Sequence, residues 1–81
     1  MNITNIDIDE FMDKFNKEYK FLYENGDRVA GYREALDYGD AFIDAHPDFV
    51  AEFVRYRGDF ISSDREVAAF AFALDDMDVD L

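Results

Sequence analysis

Apolar residues at Ile8, Phe11, Met12, Phe15, Tyr19 and Leu22 recur with a helical period on one face. This predicts a first helix that opens at Asp7, whose carboxylate can accept from a backbone N–H two or three residues on, with Glu10 reaching back. Ile6 and Phe11 occupy the two positions of a hydrophobic staple, and Asn25-Gly26 is a natural stop. Glu10/Lys14 and Asp13/Lys17 are i,i+4 pairs in the favourable order. A second helix is expected from a cap at Asp27, with Val29, Tyr32, Leu36 and Ile43 on its apolar face and Ala35 and Phe42 beside it. Gly31 and Gly39 each weaken that helix by about 1 kcal/mol relative to Ala, which makes Gly39 a candidate bend. His46 precedes Pro47 and is biased toward an extended backbone, so the second helix ends there.

Pro47 suits the first turn of a third helix. Asp48 and Glu52 lie toward its positive end, Arg55 and Arg57 toward its negative end, and Gly58 stops it. Phe49, Val50, Phe53, Val54 and Tyr56 supply its apolar side, and Asp59 to Ile61 read as a loop. Ser63 and Glu66 form a capping box that opens a fourth helix from Asp64 to about Met77. Val67, Phe70, Ala71, Leu74 and Met77 make one stripe of it, while Phe72 points nearly the opposite way. A helix apolar almost all round is buried or sits in an interface. A homodimer through Val67–Leu74 would answer that description; so would Phe72 filling a bundle centre. The alternation in Phe70-Ala-Phe72-Ala leaves a strand as the competing assignment for residues 70–74, and the tail past Met77 is expected to fray. The elements sum to an all-α fold: a small bundle of three to four helices, one domain over residues 1–81.

Composition changes the picture in one respect, charge. The chain of 81 residues has a formal net charge of −12, yet 49% of it is hydrophobic and it carries nine Phe and five Tyr. Disordered acidic segments lack such apolar content, so the chain folds in spite of its self-repulsion. Residues 1–33 hold seven acids and five bases, a net of −2; residues 34–81 hold thirteen acids and three bases, a net of −10. From Glu34 through Val54 there are six acids and no Lys or Arg. Asp37, Asp40 and Asp44 are spaced to share a narrow helical face, Glu34 flanks them, and Asp48 and Glu52 continue the series. Glu34 to Asp44 places four carboxylates along about 15 Å of helix, one per about 5 Å, sparser than the phosphate spacing of about 3.4 Å per strand of a duplex but of the same order. Arg33 falls on this face and dilutes it. Asp outnumbers Glu fourteen to six, although Asp is the weaker helix former, and its short arm fixes the position of the charge. A second acidic group, Asp75, Asp76, Asp78 and Asp80, closes the chain.

Catalytic chemistry has little to use. There is no Cys and one His, His46, which the helix boundary explains; capping accounts for Ser62 and Ser63. No window carries the spacing, central Gly and terminal Glu of a calcium-binding EF-hand loop. No enzyme activity, cofactor or metal site is expected. The Asp-Ser-Leu motif of acyl-carrier proteins is missing, and a helix stop accounts for Arg57-Gly58-Asp59. The longest clean apolar run, Val67 to Leu74, is far short of the roughly 20 residues that span a bilayer, no signal peptide is evident, and the absence of Cys fits a reducing compartment; a cytoplasmic location is expected. So negative a charge opposes direct binding to nucleic acid or to anionic lipid and suits a basic partner.

In size, acidity and cysteine-free composition the whole chain resembles small acidic inhibitors made by phages and mobile elements that imitate nucleic acid, among them anti-CRISPR and antirestriction proteins and inhibitors of uracil-DNA glycosylase. The resemblance rests on no shared motif and transfers no residue roles. It implies binding to the basic nucleic-acid channel of a host defence or DNA-processing protein, such as a CRISPR effector or restriction enzyme, in the host cytoplasm. The residues expected at that contact are Glu34, Asp37, Asp40, Asp44, Asp48, Glu52, Asp75, Asp76, Asp78 and Asp80, with Tyr38 beside the stripe as an aromatic anchor. The alternative is a non-enzymatic acidic adaptor or dimeric structural module. Adaptation to high salt would also select an Asp-rich, Lys-poor chain, but nine Phe argue against it.

Overall fold

Local signals set most of the helix ends. The computed structural model describes residues 6–79, without the side chain of Asp27. It contains α1 (Ile8–Asn25), α2 (Tyr32–Ala45), α3 (Pro47–Arg57) and α4 (Asp64–Asp76), with a 3₁₀ turn at Gly26–Arg28, and no strand among the described residues. The protein is thus an all-α bundle of four helices, and residues 70–74 are helical. Asp7 caps α1 by accepting from the Asp9 N–H at 3.0 Å, Ser63 caps α4 by accepting from the Glu66 N–H at 3.2 Å, and Pro47 opens α3. Neither Glu10/Lys14 nor Asp13/Lys17 closes into an ion pair.

The second helix starts later than the sequence suggests. Gly31 adopts φ 81°, ψ 8°, and the Tyr32 N–H donates to the Val29 carbonyl at 3.2 Å, the geometry of a type II turn with glycine at its third position. Gly31 therefore ends a turn and does not weaken a helix, and α2 opens at Tyr32, five residues beyond Asp27, whose side chain lies outside the description. The buried line of α2 is Ala35, Gly39 and Phe42; Val29, Tyr32, Leu36 and Ile43 flank it half-buried. No break occurs at Gly39. A Cβ there would lie 2.6 Å from the Val67 carbonyl oxygen and 2.8 Å from its Cγ1, so glycine lets the backbones of α2 and α4 come close.

Six phenylalanines, drawn from all four helices, build the core. Phe70 of α4 meets Phe11, Phe42, Phe49 and Phe53 at ring-centroid distances of 4.9–5.9 Å, mostly edge to face, and Phe15 meets Phe53 at 4.9 Å. Such pairs add about 0.5–1.5 kcal/mol each beyond area burial, which suits a chain too short for a large core. The fourth helix is central: Ala68, Ala69, Phe70, Ala73 and Leu74 are fully buried within the one chain. A homodimer through Val67–Leu74 would have only Val67 and Phe72, the half-buried members of that segment, to offer.

Past α4 the chain does not fray as far as it is described. Asp78 takes φ 57°, the Val79 N–H donates to the Leu74 carbonyl at 2.9 Å and the Asp78 N–H to the Asp75 carbonyl at 3.0 Å, a Schellman cap with Asp where Gly is usual. Val79 and Leu74 are both buried, as that motif's hydrophobic contact requires.

Candidate partner-binding surface

The acidic face of α2 is a direct consequence of its buried one. At about 100° per residue, Asp37, Asp40 and Asp44 lie roughly opposite Ala35, Gly39 and Phe42, and all three are exposed. Glu34 is exposed at the edge of the same stripe, and Arg33, also exposed, falls within it and dilutes it. Asp48 and Glu52 are exposed one turn apart on α3, and with Ala45, His46 and Phe49 they line an open groove at the α2–α3 corner. Arg55, also exposed, follows Glu52 on that face and dilutes it. His46 is held at the corner with its ring 4.5 Å from that of Phe42.

The C-terminal acids join this surface through α4. Asp75 of α4 and Glu34 of α2 line one groove together with Tyr38, Phe72 and Val79. Asp76 faces Glu18 of α1, a residue the mixed charge of the first helix hid from sequence reading. Exposed acids thus stand at the α1–α4 contact, at the α2–α4 groove, along the outer face of α2 and at the start of α3. Asp78 is exposed, and Asp80 lies outside the described residues. Among the described residues Arg57 pairs with Glu66, whereas Glu34, Asp37, Asp40, Asp44, Asp48, Glu52, Asp75 and Asp76 engage no cation.

Tyr38 sits differently from the exposed anchor expected. It is half-buried, its ring stacks near Phe42 at 6.4 Å, and its hydroxyl donates to the Val79 carbonyl at 2.8 Å. The hydroxyl that would serve a partner already ties the tail to α2. The surface aromatics are instead Phe60 (74% exposed), Tyr23, Tyr56 and Phe21; the Tyr56 hydroxyl donates to Asp9 Oδ1, which links α3 to α1.

Among the described residues two carboxyls titrate abnormally, in opposite directions. Glu66 is buried, which by itself would raise its pKa; the Arg57 guanidinium and hydrogen bonds from Ser62 and Ser63 outweigh that and hold it below the usual carboxylate value. Glu18 is pushed up, first by its partial burial and then by Asp76, whose carboxyl lies close enough to share a proton, with Asp75 adding repulsion. A raised folded pKa contributes stability that is complete below the ordinary value of 4.5 and is lost as pH rises through the folded value. Glu18→Gln is therefore expected to raise the melting temperature at pH 7 by about 1–3 °C, from relief of a few tenths of a kcal/mol of like-charge repulsion. The gain should vanish near pH 4. Thermal melts at the two pH values check this; an unchanged melting temperature at pH 7 would mean that Glu18 and the α4 acids do not interact.

Among the described residues no group of three or more His, Asp or Glu side chains is arranged to hold a metal ion, and no helix is long and apolar enough to cross a membrane. The surface therefore consists of fixed negative charge on rigid helices with open grooves between them. Compared with protein-family models, curated proteins and solved structures, the chain matches none.

Proposed function

We propose that the protein is a nucleic-acid-mimicking inhibitor, of the anti-CRISPR or antirestriction type, that occupies the basic nucleic-acid channel of a host defence or DNA-processing protein and blocks its substrate. The observation that carries this reading is the set of eight exposed carboxylates, Glu34 to Glu52 on α2 and α3 with Asp75 and Asp76, that engage no cation among the described residues although the chain has eight Lys and Arg. Repulsion among them destabilises the fold, and a surface shaped by stability alone would interleave cations as α1 does. Carboxylates on such a surface pair with the Arg and Lys that normally hold phosphates, bidentate Arg contacts being strongest, and charge steering makes association fast and salt-sensitive. No catalysis is involved.

The test uses the immobilised protein and a bacterial lysate, with proteins identified by mass spectrometry as salt rises. A nucleic-acid-binding protein should elute at elevated salt, should be displaced by added DNA or RNA, and should be lost when Asp37→Lys, Asp40→Lys and Asp44→Lys are combined, with helicity by circular dichroism unchanged. If the reversed variant binds as tightly as the parent, or if the captured protein still holds its nucleic acid, the reading fails. One observation favours the alternative of an acidic adaptor: Phe60 stands beside Ile43, Val50 and Val54 in an apolar groove between α2 and α3. A partner insensitive to salt and lost on Phe60→Ser would decide for that reading.

A further inference from the structure

We infer that the groove between α2 and α4 receives an arginine side chain of the partner, with Phe72 as its stacking surface and Glu34 and Asp75 as its carboxylate acceptors. This rests on the decoy reading and assigns one contact within it. The groove encloses about 230 Å³, below the roughly 300–1,000 Å³ of small-molecule sites, so its size suits one long side chain. Its lining combines apolar and acidic groups: Tyr38, Ala71, Phe72 and Val79 with one acid from each helix. Among the described residues neither acid has a cationic partner, and Phe72 is half-buried without a ring contact of its own.

That combination selects the occupant. An apolar side chain would strip water from two carboxylates without replacing it, and an anion would be repelled. A cation meets both charges and the face of an aromatic ring, an attraction of electrostatic origin. Arginine fits better than lysine, because a planar guanidinium can lie on the Phe72 ring while its edge N–H groups donate to carboxylates. The walls are already in place. Tyr38 is fixed by its bond to the Val79 carbonyl, and the close approach at Gly39 holds α2 against α4. Little ordering remains to be done on binding.

The test titrates an oligo-arginine peptide and an oligo-lysine peptide of equal length into the full chain by calorimetry. The parent should prefer arginine by about threefold to tenfold, the range expected of a guanidinium over an aromatic ring. Phe72→Leu should abolish that preference and leave the lysine peptide's affinity unchanged. Combined Asp37→Asn, Asp40→Asn and Asp44→Asn should weaken both peptides alike. Because Phe72→Leu also touches packing, the parent is followed separately by NMR: with oligo-arginine, resonances of Phe72, Ala71 and Val79 should shift. An equal affinity for the two peptides, or shifts confined to Asp37–Asp44, overturns the groove as the arginine site. If the lysate partner is lost on charge reversal yet kept by Phe72→Leu, the groove inference fails while the decoy reading stands; if neither change releases the partner, the decoy reading fails as well.

Discussion

Gly39→Ala is expected to lower the stability by about 1–2 kcal/mol, a fall in melting temperature of about 5–15 °C for a chain of this length. Helix propensity alone demands the opposite sign, since Ala in a helix interior is worth about 1 kcal/mol over Gly. The new Cβ would stand 2.6 Å from a backbone oxygen, that of Val67, which cannot swing aside as a side-chain tip can. Either α2 lifts from α4, which opens the contact made by Ala35, Phe42, Ala71 and Phe70, or the backbone bends locally. Val67→Ala combined with Gly39→Ala should restore only part of the loss, because it removes Cγ1 at 2.8 Å and leaves the carbonyl where it is. Asp40→Ala, on the exposed side of the same turn, serves as the control and should stabilise slightly. Thermal melts of the four proteins check the set. A rise in melting temperature for Gly39→Ala would mean that the two helices do not approach so closely.

The same glycine shows where sequence reading stops. Signals that act within one turn were legible: Asp7 and Ser63 as caps, Pro47 as a first-turn residue, Gly26 and Gly58 as stops, and the apolar face of α1 all describe the structure. Gly39 read as a weakness because its value lies in a backbone 28 positions further along the chain. Tyr38 read as exposed because its partner, the Val79 carbonyl, belongs to a tail expected to fray. Asp78 hid the Schellman cap because the pattern normally announces itself with Gly. The exposure of the acidic stripe on α2 could be read from spacing, being fixed by the position of the buried face. The arrival of Asp75 beside Glu34, and of Asp76 beside Glu18, could not, since each depends on how helices distant in sequence pack.

Arg57→Ala carries the other large expected effect, about 2–3 kcal/mol at pH 7. The Arg57 guanidinium donates to Glu66, whose carboxylate also accepts from the Ser62 N–H at 3.3 Å and from the Ser63 hydroxyl at 3.0 Å. It lies 5.2 Å from the centre of the Phe15 ring as well. Removing it leaves a carboxylate only 5% exposed with neutral donors alone. A buried pair broken from one side costs about 3–5 kcal/mol, and the 20% exposure of the Arg57 side chain places this pair below that range. Glu66→Gln should cost less, because Gln keeps an acceptor for the serines and the half-buried guanidinium can turn to water. Acid separates the charge effect from lost packing over Phe15. With Arg57 present the Glu66 pKa is depressed, so its contribution is complete above the ordinary value of 4.5 and is lost as pH falls through the lower folded value. With Arg57 gone, burial prevails and the pKa rises, so protonation relieves the variant before it weakens the parent. Urea unfolding should therefore show the gap between Arg57→Ala and the parent narrowing from pH 7 to pH 4. A gap that stays constant would assign the loss to the stem of Arg57 over Phe15, and a gap near zero at pH 7 would mean that water already shields Glu66.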